Sequence, residues 1–430
     1  MFSLAAHTDV RAFPRFFKQF IKRCVFTKKQ VLRDISFRDA NFGIAFDVDG
    51  VFTRGPLVLP DALRASEMLH EENGNWRIPV LFLTNAANIL PSEIVTPNSA
   101  LKIYSVFDKH VAVCGHGSLK AVAKSIGFKK ISTIEDISAN FPWLDACRPK
   151  EVLYSDALKR ADFSKIEAKS PPPQLPIFVC GSDLVWASNA PSPRIAMGSF
   201  LCCLDTLYEN LTGRRITYTG LLGKPNPLAY IFALSQLNAI AAKRFGATQP
   251  LKRIYCIGDN PEVDIYGANL FNLYLQTISD ETWSPLFELI STLVQEEHPC
   301  LFSGPSTNKC DRPELLIEKA IKWSQLTRRS KTMLETLREL VIEKPKRSPP
   351  CTMEPILVTS GVYQETEGVP DEWKGLHHVL QDFSDLSHLY EPRFVSPNVA
   401  EAVASILSLE CALGSSEATS IPASANGDLN

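Results

Sequence analysis

Short, wholly apolar runs alternate along this chain with longer stretches of mixed character, and three of the runs end in the same way. Phe42-Gly-Ile-Ala-Phe46 stops at Asp47-Val-Asp-Gly50, Ile78–Leu83 stops at Thr84-Asn85, and Arg253–Ile257 stops at Gly258-Asp259. A run this short with no polar face suits a strand buried on both sides of a parallel sheet. Stretches with helical period, including Pro60–Glu72 and Leu228–Phe245, separate them. The pattern predicts an α/β fold with a doubly wound, parallel, Rossmann-like sheet. Polar residues gather at the carboxyl ends of the strands, the edge where such sheets bind ligands.

The block between Thr84 and Lys224 has its own alternation. Val111–Cys114 reads as a strand, Ser118–Ile126 as a helix, Pro176–Cys180 as another strand, and Pro171-Pro-Pro173 as a loop. An inserted cap domain is expected there. Further on, Glu314–Val341 has long helical period and high charge, and Ile356-Leu-Val-Thr359 reads as one more sheet strand, followed by Gly361. The expected division is a leader over 1–40, core over 41–105, cap over 106–180 and core again over 181–280. An insertion, helical or partly disordered, follows over 281–352, then core over 353–410 and a disordered tail over 411–430.

Composition narrows the class. At 430 residues the chain is long enough for two or three folding units. Its 45% hydrophobic and 21% charged residues are those of an ordinary globular protein. A net charge of −2 gives no electrostatic case for a nucleic-acid partner, and no apolar run approaches the roughly 18–20 residues of a membrane span. The 11 cysteines include no C-x-x-C pair, and Cys202 and Cys203 are adjacent, which argues for a reducing compartment and against a disulfide scaffold. The 8 histidines include no i, i+4 pair, and the neighbours His377 and His378 point apart, so zinc is not expected. Between Met1 and Arg33 the leader carries Arg11, Arg15, Lys18, Lys22, Arg23, Lys28, Lys29 and Arg33 against the lone acid Asp9, interleaved with Phe13, Phe16, Phe17, Phe20, Ile21 and Val25. It reads as a mitochondrial targeting helix, with a basic extension on a cytosolic protein as the alternative.

The strand-end residues suit one chemistry. Asp47 and Asp49 are two positions apart, where a continuing strand presents side chains to one side, and Gly50 lets the backbone turn after them. One carboxylate can attack a phosphorus atom while the other handles a proton. Clustered carboxylates need a cation, and hard oxygen donors favour Mg²⁺; Asp259 and Asp264 extend the candidate cage. Thr84 and Asn85 offer phosphate donors, and Lys224, in Gly223-Lys-Pro225, offers a point charge to phosphoryl oxygens and to Asp47. Catalysis by such a set is mostly positioning and neutralisation of charge on a loose phosphoryl group.

Taken in order, these residues resemble the haloacid dehalogenase superfamily. Asp47-Val-Asp-Gly-Val51 is similar to its first motif, Thr84-Asn85 to its second, Lys224 to its third and Gly258-Asp-Asn-Pro-Glu-Val-Asp264 to its fourth. An insertion between the second and third motifs resembles the type II cap. The Thr-Asn pair and the Gly-Lys-Pro triplet resemble subfamily IIA, which includes phosphoglycolate- and pyridoxal-phosphate-type phosphatases. The resemblance covers about Asn41 to Thr277 and resumes over Ile356–Val403. It implies that Asp47 is the nucleophile forming an aspartyl-phosphate, that Asp49 protonates the leaving group and then activates water, and that Thr84, Asn85 and Lys224 hold the phosphate. It also implies Mg²⁺ held by Asp47, the backbone carbonyl of Asp49 and Asp259, with Asp264 beside or behind them, and a mitochondrial location.

The family pattern is broken in three places. Only a short Asn88–Thr96 segment follows Thr84-Asn85, where relatives have a full helix. Between Ile166 and Pro176 stands an Ala-Lys-Ser-Pro-Pro-Pro linker in place of a strand and helix, and Glu281–Thr352 is additional. A shortened cap is therefore expected. The function expected is a Mg²⁺-dependent phosphohydrolase acting on a small phosphorylated metabolite; a phosphatase-like binding or scaffolding protein without turnover is the alternative, and a phosphomutase a distant third. Gly115-His-Gly117 partly matches a dinucleotide fingerprint but lacks the third glycine, so strand-to-helix structure is its expected role.

Overall fold

Five apolar residues without a charge, Phe42–Phe46, form β1, and every one of them is buried. In the computed structural model, residues 41–71, 73–86, 94–105, 109–115, 117–140, 175–190, 192–277, 351–363 and 387–419 are described. The basic leader, the proline linker, the Glu314–Val341 stretch and most of the Asn88–Thr96 segment lie outside them.

After β1 come a small hairpin, β2 (Thr53–Arg54) and β3 (Leu57–Val58), then α1 (Pro60–Leu69) and β4 (Val80–Leu83). β5 (Ile94–Val95), a 3₁₀ turn at Pro97–Leu101 and α2 (Lys102–Ser105) follow. The inserted block holds β6 (His110–Val113), α3 (Leu119–Ile126), β7 (Lys130–Thr133), α4 (Ile134–Asn140), β8 (Phe178–Cys180), β9 (Val185–Trp186), β10 (Arg194–Ile195) and α5 (Met197–Thr212). Then come β11 (Gly220–Leu222), α6 (Pro227–Phe245), β12 (Arg253–Gly258), a π turn at Pro261–Ile265 and α7 (Tyr266–Thr277). β13 (Thr352–Val358), a short 3₁₀ turn at Ser387–Tyr390, β14 (Phe394–Ser396) and α8 (Val399–Thr419) complete the described chain.

Six strands form one parallel sheet in the order β14-β13-β12-β1-β4-β5. Moving outward from β1, the chain adds β4 and β5 on one side and β12, β13 and β14 on the other. The direction of winding thus reverses beside β1, and the crevice of an open α/β sheet opens at that reversal. The three sequence runs that ended in polar residues are therefore the three central strands.

Alternation along the strands supplies two cores. Phe42, Ile44 and Phe46 face a cluster shared with Phe82, Tyr255, Ile257, Ile356, Val403 and Ile406, which buries α1 and α8. Ala45, Leu81, Leu83, Ile254 and Cys256 face the other cluster, shared with Tyr230, Leu237 and Phe271 of α6 and α7. Helices cover both faces, as the double winding predicts. α6 starts at Pro227, with Asn226 accepting the Leu228 N–H as its cap, and ends at left-handed Gly246. On the outer face, Arg253 Nε and Nη2 donate to Glu410 of α8 at 2.7 and 2.8 Å, and the Tyr255 hydroxyl donates to the same carboxylate at 2.7 Å.

Two expectations change. α8 continues through Leu413 to Thr419, past the point where the sequence predicts the tail to lose structure; its run of Ala, Leu and Glu residues sustains a helix. The expected helix over Pro60–Glu72 stops at Leu69, because His70 turns extended to stack its ring on Trp76 at 3.9 Å. Among its described residues the inserted block builds two-stranded sheets: β6 with β7, β9 with β10, and β8 with β11. The β8–β11 pair crosses the 180/181 division drawn from the sequence. Its apolar cluster is five buried residues, Val179, Leu201, Ile216, Tyr218 and Leu221.

Candidate active site

β1 ends by donating the Asp47 N–H to the Ile257 carbonyl of β12 at 2.8 Å, which aims the Asp47 side chain into the crevice. Two residues on, the chain turns: Phe52 and Thr53 both donate their N–H groups to the Val48 carbonyl at 2.9 Å. Half-buried Asp49 stands at this turn, accepting the Thr53 hydroxyl at 3.3 Å. From the neighbouring strand β12, Asp259 follows Gly258 directly, and the π turn brings Asp264 back over it. Asp264 Oδ2 accepts the Asn260 N–H at 3.1 Å.

Carboxylate oxygens of Asp47, Asp259 and Asp264 lie within 4.8 Å of one another, all three in the protein interior. Lys224 Nζ donates to Asp47 Oδ1 at 2.6 Å and to Asp264 Oδ1 at 2.5 Å. Lys224 as a whole is only 3% exposed, so these two contacts carry its charge. Burial alone pulls the Lys224 ammonium down, but Asp264 and Asp47 more than offset that and hold it charged. Burial raises the Asp47 carboxyl to about 6 despite Lys224 beside it, with Asp264 adding to the rise. Asp259 is pushed far up by burial and then by Asp47 and Asp264. Asp49 is lifted to about 7 by burial and by the charge on Asp47, close to the range in which a carboxyl gives and takes a proton near neutrality.

Asp259 owes its orientation to a segment far along the chain. The Val362 N–H donates to Asp259 Oδ2 at 2.6 Å, and the Tyr363 N–H donates to the Asp259 carbonyl at 3.1 Å. Gly361 lies so close that a Cβ there would meet Asp259 Oδ2 at 1.8 Å. The loop is fastened to the turn after β1: the Ser360 hydroxyl donates to the Gly50 carbonyl at 2.7 Å, and Arg54 donates to the Ser360 carbonyl through Nε and Nη2. Spacing marks Gly361 only as a residue after a strand, so this contact is invisible before folding.

Charge counting tests the cation expectation. Three buried carboxylates converge, and among the described residues one ammonium, Lys224, bonds two of them. Burial of uncompensated charge costs several kcal/mol per ion. An all-oxygen donor set with a net negative charge suits a hard divalent cation. The donors are Asp47, Asp259 and Asp264; the Asp49 carboxylate is not among the grouped atoms.

Thr84 is 2% exposed at the end of β4, its hydroxyl accepting the Ala86 N–H at 3.2 Å. The structure brings Asn85 to the site, but its amide is already engaged. Asn85 Oδ1 accepts the Lys224 N–H at 2.7 Å, while Nδ2 donates to the Lys224 carbonyl at 2.9 Å and to both Asp183 oxygens at 3.0 Å. Asp183, lifted to about 7 by burial, lies outside the motif set that the sequence marks. A signal existed: Phe178–Cys180 followed by Gly181-Ser-Asp183 repeats the strand, glycine and acid order of Gly258-Asp259.

The structure thus defines a doubly wound parallel α/β protein with an acidic, lysine-bridged cluster at the carboxyl ends of its central strands. Residues 221–277, which carry Lys224, Asp259 and Asp264, match the HAD-hydrolase-like family model. The chain is 26% identical over 288 residues to a cardiolipin synthase (CMP-forming) / mitochondrial hydrolase fusion protein of Schizosaccharomyces pombe, covering 54% of this chain and 47% of that one. It therefore spans about half the length of that relative. It is also 25% identical over 298 residues to a mitochondrial hydrolase of Saccharomyces cerevisiae, covering 52% of this chain and 83% of that one. A single mutant of a thermostable NPPase from Geobacillus stearothermophilus aligns over 84% of this chain and 96% of its own, with 14% identity and a TM-score of 0.32. Over residues 221–277 the chain is thus similar to HAD-like hydrolases, and the two relatives are themselves named as hydrolases. Among the described residues, no helix is long and apolar enough to cross a membrane.

Proposed function

We propose that this chain is a Mg²⁺-dependent phosphohydrolase of the subfamily IIA type that cleaves phosphomonoesters through an aspartyl-phosphate on Asp47. The observation that carries this reading is Lys224 Nζ bridging Asp47 and Asp264, with Asp259 completing a three-carboxylate cluster. Asp47, at the crevice, is the group that attacks phosphorus. Asp49, two residues on and hydrogen-bonded to Thr53, passes a proton to the leaving oxygen and then takes one from the attacking water. Lys224 holds Asp47 in place and draws charge from the phosphoryl oxygens. Thr84, buried at the end of β4, contributes a hydroxyl to the same crevice. Asp47, Asp259 and Asp264 would hold Mg²⁺, which when bound neutralises the phosphoryl group and the carboxylates.

Both relatives are named as mitochondrial hydrolases, and with the basic leader they support a mitochondrial location. The fission-yeast name couples its hydrolase to cardiolipin synthesis. A substrate panel therefore includes glycerophospholipid phosphomonoesters beside soluble sugar and polyol phosphates. The test is phosphate release from an aryl phosphate with Mg²⁺, which Asp47→Asn is expected to abolish. Unchanged turnover in Asp47→Asn would remove Asp47 as nucleophile. Tight Mg²⁺-dependent vanadate binding without turnover on any substrate would favour the binding-protein alternative.

A further inference from the structure

We propose that Asp183 is a positioning residue which, through Asn85, fixes the main chain of Lys224 and so ties the inserted block to the catalytic ammonium. The inference rests on the phosphohydrolase reading above. Asn85 grips residue 224 from both sides of its backbone, at 2.7 Å to the N–H and 2.9 Å to the carbonyl. One amide hydrogen meets the Lys224 carbonyl; the other is shared by the two Asp183 oxygens at 3.0 Å each. Ionised, the Asp183 carboxylate only accepts, and protonated it still keeps an accepting carbonyl oxygen, so it holds the Asn85 nitrogen on the side where it can reach the Lys224 carbonyl. The contact is close: a Cβ on Gly223, which has φ +101°, would meet Asn85 Oδ1 at 2.6 Å.

Asp183 is itself fixed from the inserted block. Its carbonyl accepts the Gly198 N–H at 2.7 Å at the start of α5, and the Ser199 hydroxyl donates to the Leu184 carbonyl at 2.8 Å. Just before it, the Gly181 N–H donates to the Leu222 carbonyl at 2.8 Å, joining β8 to the strand that leads into Lys224. A continuous hydrogen-bonded path runs from the first turn of α5 through Asp183 and Asn85 to Lys224, and on to Asp47 and Asp264. Placement of the inserted block therefore sets the reach of the lysine.

The test compares Asp183→Ala with Asp183→Asn in the full chain, Asn keeping an oxygen that accepts from Asn85. Three readouts apply: exchange of the Lys224 amide, kcat and KM on an aryl phosphate with Mg²⁺, and Mg²⁺ affinity by calorimetry. For Asp183→Ala the expectation is about 10–100-fold faster Lys224 amide exchange and roughly 30-fold lower kcat, with KM and Mg²⁺ affinity within about 3-fold. Asp183→Asn should recover most of both losses. Unchanged exchange at Lys224 in Asp183→Ala overturns the proposal, as does Asp183→Asn being as impaired as Asp183→Ala. Amides of β1 and β12 report whether each variant is folded, and Asp183→Ser replaces Asp183→Ala should the latter not fold. If wild-type protein releases no phosphate, the phosphohydrolase reading fails, and the exchange measurement still decides whether Asp183 positions Lys224.

Discussion

The six-stranded sheet and the inserted block solve the same packing problem at different scales. In the sheet, central strands bury both faces, and the apolar residues of α1, α6, α7 and α8 close over them. In the inserted block, the described residues of the β8–β11 pair and α5 form a five-residue cluster, and α5 leaves Phe200, Leu207 and Leu211 exposed at 55%, 57% and 75%. Burying three carboxylates and an ammonium is costly, and only the larger core has apolar burial to offset it. The difference shows why the charged cluster sits where it does. The inserted block contributes a carboxylate, Asp183, at the seam between the two regions.

That comparison can be broken at its most expensive point first. Lys224→Ala leaves Asp47 and Asp264 facing each other without their ammonium. Turnover should fall by about 10³-fold or more, and stability without Mg²⁺ by about 3–5 kcal/mol. Thermal unfolding with and without Mg²⁺ checks the second part: the variant should gain more from Mg²⁺ than wild type, and equal gains would contradict the charge count.

Truncations sharpen the difference in scale. Ile44→Ala, in the centre of β1, should cost about 3–5 kcal/mol and unfold the sheet as a unit. Leu201→Ala in α5 should cost about 2–3 kcal/mol and act mainly on the inserted block, seen as faster amide exchange in β8 and β11 while β1 and β12 stay protected. Uniform acceleration across both regions would make them one cooperative unit.

A matched pair of glycines separates site strain from backbone strain. Gly361→Ala drives a methyl into Asp259, so Mg²⁺ affinity by calorimetry should drop about 10–100-fold. Gly213→Ala, at φ +67° with nothing within 4 Å of its Cβ, should cost about 1 kcal/mol of stability and leave Mg²⁺ affinity unchanged.

The smallest effect lies at the edge of the sheet layer. His70 donates from Nδ1 to the Ser66 carbonyl at 2.7 Å, and among the described residues its buried Nε2 has no partner. Burial lowers its proton affinity below the ordinary 6.5. The unfolded chain then binds the proton first as pH falls, so the contribution is complete above about pH 6.5 and is lost on going below it. His70→Gln should flatten that part of the stability profile; an unchanged slope between about pH 5 and 7 would assign it elsewhere.

Legibility in the sequence followed run length and charge. β1, β4, the Ile254–Ile257 part of β12 and the Ile356–Val358 part of β13 announce themselves because strand segments buried on both faces need unbroken apolar residues, and their polar ends fall together once the strands are adjacent. β5, with two residues, and β14, with three, are set by pairing with a neighbour, which no short window contains. Asp47, Asp259, Asp264 and Lys224 do meet. The sequence marks Asn85 as a phosphate donor; the structure spends its side-chain amide on Lys224 and Asp183. Whether an amide faces a ligand or a neighbouring main chain depends on contacts 98 and 139 positions away.

The loop that orients Asp259 adds an order in time. Its donor, Val362, lies 103 positions after the carboxylate it holds. A nascent chain extended only through α7 already carries Lys224 and the three clustered acids, yet lacks the Val362 and Tyr363 N–H groups that hold Asp259. The cluster gains its grip only when β13 docks beside β12. The ribosome therefore delivers the ingredients of the site well before it delivers the site.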